Sequence, residues 1–208
     1  MKPITFKHIT LLLILLTATL SSSGANVAAD IVAKAVNRYQ SVPSLTVNFK
    51  ISSPGTQSSS GTLVTAGDRF HLNMPDMQTW YDGRTQWSYL RAANEVNITE
   101  PTVDELAQIN PFAMVSAINS MFTPALIKSG QQTQVIRFTP KRANESDIIS
   151  LTVTFDQSTS WPKTIDILSQ QGQVTITVTN IKTGSKLPVS TFVYNKKTHP
   201  GAEIVDLR

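Results

Sequence analysis

The chain has 208 residues, no cysteine and a formal net charge of +4, from 18 basic and 14 acidic side chains. This length fits one domain with a sizeable core, and so small a charge excess does not supply the basic surface that nucleic acid binding needs. The absence of cysteine excludes a disulfide framework and a lipid anchor attached through an N-terminal cysteine.

The first 25 residues are typical of a secretory signal peptide. Lys2 and Lys7 form a positive n-region, residues 9–20 are an apolar run too short to span a bilayer comfortably, and small residues follow. Cleavage is expected after Ala25, with a second candidate site at residues 27–29 and an uncleaved anchor as the alternative. We therefore expect residues 1–25 to be removed and residues 26–208 to form one domain in a bacterial periplasm.

The mature chain is predicted to begin with a short helix and continue in strands. Asn26 is a candidate N-cap, and apolar residues then recur at helical spacing up to Tyr39. From Leu45 the period changes to two, which indicates a strand, and a second strand is expected around Leu63. A third strand, residues 69–75, places its apolar residues on one face: Phe70, Leu72 and Met74.

Residues 80–87, WYDGRTQW, are predicted to form a hairpin that contains two of the three tryptophans. An Asp-Gly pair between alternating residues is a strong signal for a two-residue turn. That register makes Trp80 and Trp87 diagonal neighbours on one face together with Tyr89. The opposite face is predicted to be solvated and carries Thr79, Tyr81, Arg84, Gln86 and Ser88. The aromatic face is either ordinary core or the wall of a cavity. Alternation does not distinguish these two, because both require an apolar face.

The middle of the chain is predicted to be helical, and the rest to return to strands. Residues 102–105 match a capping box, and Pro111 marks a second helix start. An apolar segment follows as far as Leu126, and strands alternate after Gly130. With eight to eleven strands and few helical residues, the predicted fold class is mainly β (α+β). We expect a curved antiparallel sheet that forms an open half-barrel covered by short lid helices.

The mature chain shows no recognisable catalytic motif. His71 and His199 are its only histidines, there is no cysteine for zinc, and no nucleophile-elbow motif is present. Residues 160–163 fit S-x-x-K but lack the companion motifs of that enzyme class. We expect no catalytic residue, no metal and no cofactor, and the sequence favours binding over catalysis.

The order of these segments resembles the periplasmic outer-membrane lipoprotein carriers, the LolA-like proteins. The resemblance rests on SLTVNFKI, GTLVTAGDRFHLNMP, WYDGRTQWSY, NPFAMVSAI and the ending PGAEIVDLR. It implies a monomeric carrier whose cavity holds the acyl chains of lipoproteins. It also implies two further partners: an ATP-driven extractor in the inner membrane that supplies the cargo, and an acceptor at the outer membrane.

On this resemblance we assign the cavity as a hypothesis. The lipid-binding wall would consist of Phe49, Ile51, Leu63, Phe70, Leu72, Met74, Trp80, Trp87 and Tyr89. The lid would consist of Met114, Val115, Ile118, Met121 and Phe122. Many members of that family carry a basic residue and a proline just after the strand that matches GTLVT, and that basic residue holds the lid closed by hydrogen bonds. Here no proline is present and Arg69 is the nearest basic residue, so it is either the lid latch or a solvated charge at a turn.

Three other functions remain open at this stage. The first is a periplasmic lipid sensor or regulatory module that uses the same half-barrel without moving cargo. The second is an exported hydrolase, which would need a catalytic constellation. The third is a domain with a filled core, which would take up no lipid.

Overall fold

The computed structural model describes residues 22–102, 105–106 and 118–208. The elements are helix α1 (Ser22–Gln40), strands β1 (Ser44–Ser52), β2 (Ser59–Ala66), β3 (Arg69–Asn73), β4 (Met77–Tyr81), β5 (Gln86–Leu90) and β6 (Glu95–Thr99), helix α2 (Ile118–Met121), strands β7 (Phe122–Ser129), β8 (Thr133–Pro140), β9 (Ile148–Asp156), β10 (Pro162–Ser169), β11 (Gly172–Gly184) and β12 (Glu203–Asp206), and 3₁₀ turns at Ala143–Glu145, Val189–Phe192 and Lys196–Thr198. The predicted signal peptide falls almost entirely outside the described residues.

The described strands form one open sheet in the order β12-β6-β5-β4-β3-β2-β1-β11-β10-β9-β8-β7. All neighbours are antiparallel except β12, which pairs parallel with β6. The predicted fold class is confirmed: the chain is mainly β, with an open sheet and few short helices. Within the described residues, no helix is both long and apolar enough to cross a membrane.

Helix α1 packs across the sheet. This helix packs on β7 and also reaches β2, where the Tyr39 hydroxyl lies 3.3 Å from Thr65 Oγ1. Six strand spacings separate β2 from β7, about 29 Å, and the 19-residue helix is about 28 Å long, so it is long enough to reach both strands. We call the face that packs on α1 the inner face, defined by Leu45, Val47 and Phe49 of β1, and the opposite one the outer face.

Alternation in β1 is as the sequence predicts. Leu45, Val47 and Phe49 are all at most 6% exposed, whereas Lys50 is exposed. Phe49 pairs with Gly61 of β2, and a Cβ at Gly61 would lie only 2.5 Å from Cζ of the Phe49 ring. Glycine is therefore required at this position by the close approach of an aromatic ring.

Three sequence predictions about the elements are wrong. The described strands number twelve rather than eight to eleven. Residues 122–126, predicted to continue the helical segment, belong to β7, because proline is tolerated in an edge strand and Pro124 sits in one. Helix α1 begins at Ser22, so Asn26 lies within the helix and does not cap it.

Candidate functional site

The inner face and α1 enclose an apolar cavity. It lies between the helix and strands β8–β10, has a free volume of about 60 Å³, and is lined almost wholly by apolar side chains. The lining from α1 and α2 is Val32, Ala35, Val36, Tyr39 and Ile118. The lining from the sheet side is Phe138, Leu151, Val153, Phe155, Ser160, Trp161, Pro162 and Ile165.

Two contacts hold the C-terminal end of α1 against the sheet. The Tyr39 hydroxyl donates to the Gly67 carbonyl oxygen at 3.2 Å, beside the Thr65 hydroxyl. Burial raises the pKa of Tyr39, with Asp68 contributing a smaller rise. The Arg38 guanidinium lies 5.5 Å from the centre of the Trp161 ring, a cation–π contact.

Six of the nine predicted wall residues lie together on the inner face. Phe49, Leu63, Phe70 and Leu72 are at most 6% exposed and belong to the same core cluster as α1. Ile51 and Met74 pack against this cluster and are partly buried. The cross-strand pairs Val47–Leu63 and Leu63–Leu72 fix these residues on one face.

The other three predicted wall residues lie on the outer face, which corrects the prediction of a single wall. Phe70 pairs with Tyr81 and His71 pairs with Trp80, so Trp80 points away from Phe70. Trp80, Trp87 and Tyr89 form a second cluster with Val96, Tyr194 and Ala202. Alternation shows which residues of one strand share a face. Which face of β4 continues the inner face of β3 depends on the β3–β4 turn, and the sequence prediction did not include the geometry of that turn.

The hairpin register also differs from the prediction. Trp80 pairs directly with Trp87, and residues 82–85 form a four-residue turn. The Asp82 carboxylate accepts hydrogen bonds from the backbone N–H groups of Arg84 (2.9 Å) and Thr85 (2.8 Å), and Gly83 has φ +106°. The side chain of Asp82 therefore stabilises a longer loop than the Asp-Gly pair predicts.

The hairpin face that was predicted to be solvated is instead largely buried. Thr79 is 0% exposed, and Tyr81 and Gln86 are each 7% exposed, because they belong to the inner face. Burial raises the pKa of Tyr81. The prediction of which hairpin residues share a face was correct, but the face predicted to contact solvent lies on the inner face of the sheet.

Only part of the predicted lid is described. Met114 and Val115 lie outside the described residues. Ile118 lines the cavity, and Met121 packs against the core cluster. Phe122 is 2% exposed but belongs to β7.

A basic residue does hold α2, but it is not the predicted one. Lys141 Nζ donates to the Asn119 carbonyl oxygen at 2.7 Å, and the Lys141 backbone N–H donates to the Met121 carbonyl oxygen at 2.9 Å. Arg69 lies on the outer face, where its guanidinium is 5.4 Å from the centre of the Phe192 ring. The predicted latch contact of Arg69 is not formed within the described residues, because Arg69 and α2 lie on opposite faces.

The outer cluster contains both histidines of the predicted mature chain. His71 stacks on Trp80 with ring centres 4.9 Å apart, and His199 lies over Tyr89 at 3.9 Å. Burial lowers the pKa of His71, and burial together with Arg91 lowers that of His199. Among the described residues, no group of three or more histidine, aspartate or glutamate side chains could hold a metal ion.

Sequence reasoning missed two contributors to the cavity, Trp161 and the helix itself. The helical spacing of Val32, Ala35 and Val36 was recognised, but these residues were expected only to cover the sheet. Trp161 precedes Pro162 at the start of β10, and no periodicity marks it because the strand begins there. The one sequence feature that could have identified Trp161 as a cavity residue is its large aromatic side chain next to alternating apolar residues.

Comparisons with known proteins identify relatives by sequence and by fold. A family profile described as "Outer membrane lipoprotein carrier protein LolA" matches residues 16–173. No curated protein sequence matches the chain.

Several solved structures resemble this one. An uncharacterized conserved protein from Thermus thermophilus aligns with a TM-score of 0.59 and 9% identity, over 86% of this chain and 98% of that chain. A DUF1329 family protein from Desulfovibrio piger aligns with a TM-score of 0.53 and 11% identity, over 82% and 98%. A LolA superfamily protein from Nitrosomonas europaea aligns with a TM-score of 0.44 and 12% identity, over 80% and 97%. At such identities the first two similarities concern the fold alone.

Proposed function

Because the chain belongs to the outer membrane lipoprotein carrier protein (LolA) family, we propose that it is a periplasmic carrier that binds the acyl chains of lipoproteins. Residues 1–25 would be a cleaved signal peptide. The mature monomer, residues 26–208, would take cargo from an ATP-driven extractor in the inner membrane and pass it to an acceptor at the outer membrane. The proposal includes no cofactor, metal or catalytic step.

The observation that carries this proposal is the apolar cavity between α1 and the inner face. Burying a methylene group contributes about 0.8 kcal/mol, so one sixteen-carbon chain represents roughly 12 kcal/mol gross. The inner face supplies the required apolar surface along β1–β3 and β8–β11. A carrier needs such a surface because acyl chains do not remain exposed to water.

The small size of the cavity supports a movement of α1 when cargo binds. Its 60 Å³ of free volume holds only about four to six water molecules, since one water needs roughly 10–15 Å³. A sixteen-carbon chain is several times larger. In the empty protein α1 therefore occupies the space that cargo would take, and its contacts with the sheet substitute for those of the lipid.

The proposed binding residues follow from this geometry. They are Phe49, Ile51, Leu63, Phe70, Leu72 and Met74 of the inner face, together with Val32, Ala35, Val36 and Trp161 around the cavity. Met114, Val115, Ile118 and Met121 remain the proposed lid, and Phe122 is excluded from it because it belongs to strand β7. Trp80, Trp87 and Tyr89 are excluded from the proposal, because they pack on the outer face.

The three tryptophans make a direct test possible, because one of them lines the cavity and two lie on the other face. A Trp80→Phe/Trp87→Phe variant retains only Trp161, and Trp161→Phe retains only the outer pair. Adding a triacylated lipopeptide should shift the emission of Trp161 and leave that of the outer pair unchanged. A shift in the outer pair alone would place the lipid on the wrong face for this proposal.

Transfer is tested separately from binding. The mature protein would be mixed with membrane vesicles that contain a triacylated lipoprotein and its extractor, and examined by native mass spectrometry. A soluble one-to-one complex that is lost with unacylated cargo is expected. Recovery of free lipid without lipoprotein would instead support the lipid sensor or regulatory module. Ile118→Glu should abolish the complex, because it places a charge in the apolar lining.

The packing of α1 supports cleavage after Ala25 over the second candidate site. Ala28 is 0% exposed and belongs to the core cluster, so cleavage at residues 27–29 would remove a packed residue. Cleavage after Ala25 leaves the buried face of α1 complete. The intact mass of the exported protein would distinguish the two sites.

A further inference from the structure

The inner face becomes more polar from β4 to β6, although Met77 and Tyr81 of β4 still pack on the core cluster. Cross-strand pairing connects Leu72 to Thr79, Ser88 and Asn97 in one row, and Phe70 to Tyr81, Gln86 and Thr99 in the next. Cross-strand partners share a face, so the apolar surface of β1–β3 borders a polar surface on β4–β6. A single amphiphile could contact both.

The polar surface contains a buried acceptor without a partner. Thr79 Oγ1 lies 3.4 Å from Ser88 Oγ, and Gln86 Nε2 donates to the same hydroxyl at 3.2 Å. Gln86 Oε1 is buried and accepts no hydrogen bond within the described part of the chain. A buried carbonyl oxygen without a donor is unfavourable, and such groups are rare in native proteins.

A pocket with a free volume of about 540 Å³ lies beside Gln86. Thr99, Glu100, Glu105, Leu207 and Arg208 contribute to its lining. It is much larger than the apolar cavity under α1, and its lining is mixed in polarity.

The charged groups at this pocket are already engaged. Arg84 Nε lies 3.1 Å from Glu100 Oε1, and Arg208 Nη2 lies 2.6 Å from Asp206 Oδ2. Glu105 Oε2 accepts hydrogen bonds from the N–H and the hydroxyl of Thr102, at 2.8 and 2.9 Å. Because these charges have partners and the orphan acceptor is neutral, the pocket fits a neutral hydrogen-bond donor better than a free anion.

We propose that this polar end of the inner face binds the first peptide groups of the acylated cargo. An amide N–H of the peptide donates to Gln86 Oε1 after a rotation of the side-chain amide, and Thr99 contacts the adjoining peptide groups. The acyl chains then extend from this point over the apolar surface of β1–β3. The inference rests on the proposed carrier function, and it adds recognition of the peptide to recognition of the lipid.

The test compares two ligands on three proteins. The ligands are a triacylated lipopeptide, which offers amide N–H donors, and a diacylglycerol with the same chains, which offers a hydroxyl but no amide. The proteins are the wild type, Gln86→Leu, and Gln78→Leu as a matched control on the outer face of β4. We expect Gln86→Leu to raise the Kd for the lipopeptide about tenfold, the loss of one to two neutral hydrogen bonds. The diacylglycerol Kd should stay unchanged, and the control should alter neither value.

A second readout separates a binding site from a merely structural residue. Gln86→Leu removes an unsatisfied buried oxygen and also the donation of Gln86 Nε2 to Ser88 Oγ. These two losses act in opposite directions, so the variant should melt close to the wild-type temperature while binding the lipopeptide more weakly. Thr99→Val, on the neighbouring strand, should weaken lipopeptide binding in the same selective way.

The outcomes separate this inference from the carrier proposal. An unchanged lipopeptide Kd in Gln86→Leu would overturn the peptide site and leave the carrier proposal standing. An equal loss for both ligands would also overturn it, because the site would then bind the ester groups that both ligands share. If the wild type bound neither ligand, the carrier proposal would fail, and this inference with it.

Discussion

At the scale of single residues, His71 makes stability depend on pH. It stacks on Trp80, and its Nε2 is buried with no hydrogen-bond partner in the part of the chain described. Burial lowers its pKa below the ordinary value of 6.5. Above that value the ring is neutral in both the folded and the unfolded chain. As the pH falls below 6.5 the unfolded chain takes up a proton first, so stability is lost.

We therefore predict a difference in acid sensitivity between the wild type and His71→Phe, which keeps an aromatic ring but does not titrate. Urea unfolding at pH 7.5 and 5.5 should show a smaller loss of stability in the variant. At pH 7.5 the variant should be as stable as the wild type or more so. The same loss in both proteins would mean that His71 does not contribute.

Gly61 gives a second prediction at this scale. Its substitution by alanine would place Cβ 2.5 Å from the Phe49 ring, so the ring must move in a packed core. We expect Gly61→Ala to lower the free energy of unfolding by about 1–3 kcal/mol, the range for overpacking. Gly130→Ala is the control, because its Cβ would find nothing closer than 3.8 Å, and chemical denaturation should leave it within about 0.5 kcal/mol of the wild type.

At the scale of elements, the tether of α1 can be tested by its hydroxyl group. Tyr39→Phe removes the hydrogen bond to the Gly67 carbonyl and should lower the free energy of unfolding by about 1 kcal/mol. Tyr194→Phe is the matched control, because the Tyr194 hydroxyl is buried without a partner among the described residues. It should be neutral or stabilising. Equal effects in urea titrations would show that the Tyr39 hydroxyl does not hold the helix.

The same tether should affect cargo entry if α1 moves when cargo binds. Weakening the C-terminal end of α1 makes opening easier, so Tyr39→Phe should take up the triacylated lipopeptide faster than the wild type. The Trp161 emission in the Trp80→Phe/Trp87→Phe background reports the rate.

Elements also show how far the sequence predicts the fold. Strands with strict alternation, such as β1, were predicted with their faces, because apolar and polar residues differ at every step. The hairpin aromatics were grouped correctly but placed on the wrong face. The sequence pattern is identical for an inner and an outer apolar face, and only the turns and the C-terminal segment that covers Trp80 distinguish them. Strand β12 was missed because four residues carry too little periodicity.

At the scale of the whole molecule, the sheet is open and has two edges, β12 and β7. An edge strand exposes unpaired backbone groups that can pair with another chain. Strand β12 is only four residues long, whereas β7 has eight and carries Pro124 and Lys128. Proline lacks an N–H, and lysine on an edge opposes strand addition. These two residues therefore disfavour pairing along β7, which has only β8 as a neighbour among the described strands.

We predict that replacing both residues exposes β7 to pairing with a second copy. Pro124→Thr/Lys128→Thr should self-associate in sedimentation velocity at lower concentrations than the wild type, because threonine favours strands and restores the backbone donor. Lys50→Thr in the central strand β1 is the control: it removes a positive charge from a strand that already has two neighbours. If the double variant and the control both stayed monomeric, the edge would be protected by something other than these two side chains. Self-association of both variants would instead identify the lost charge as the cause.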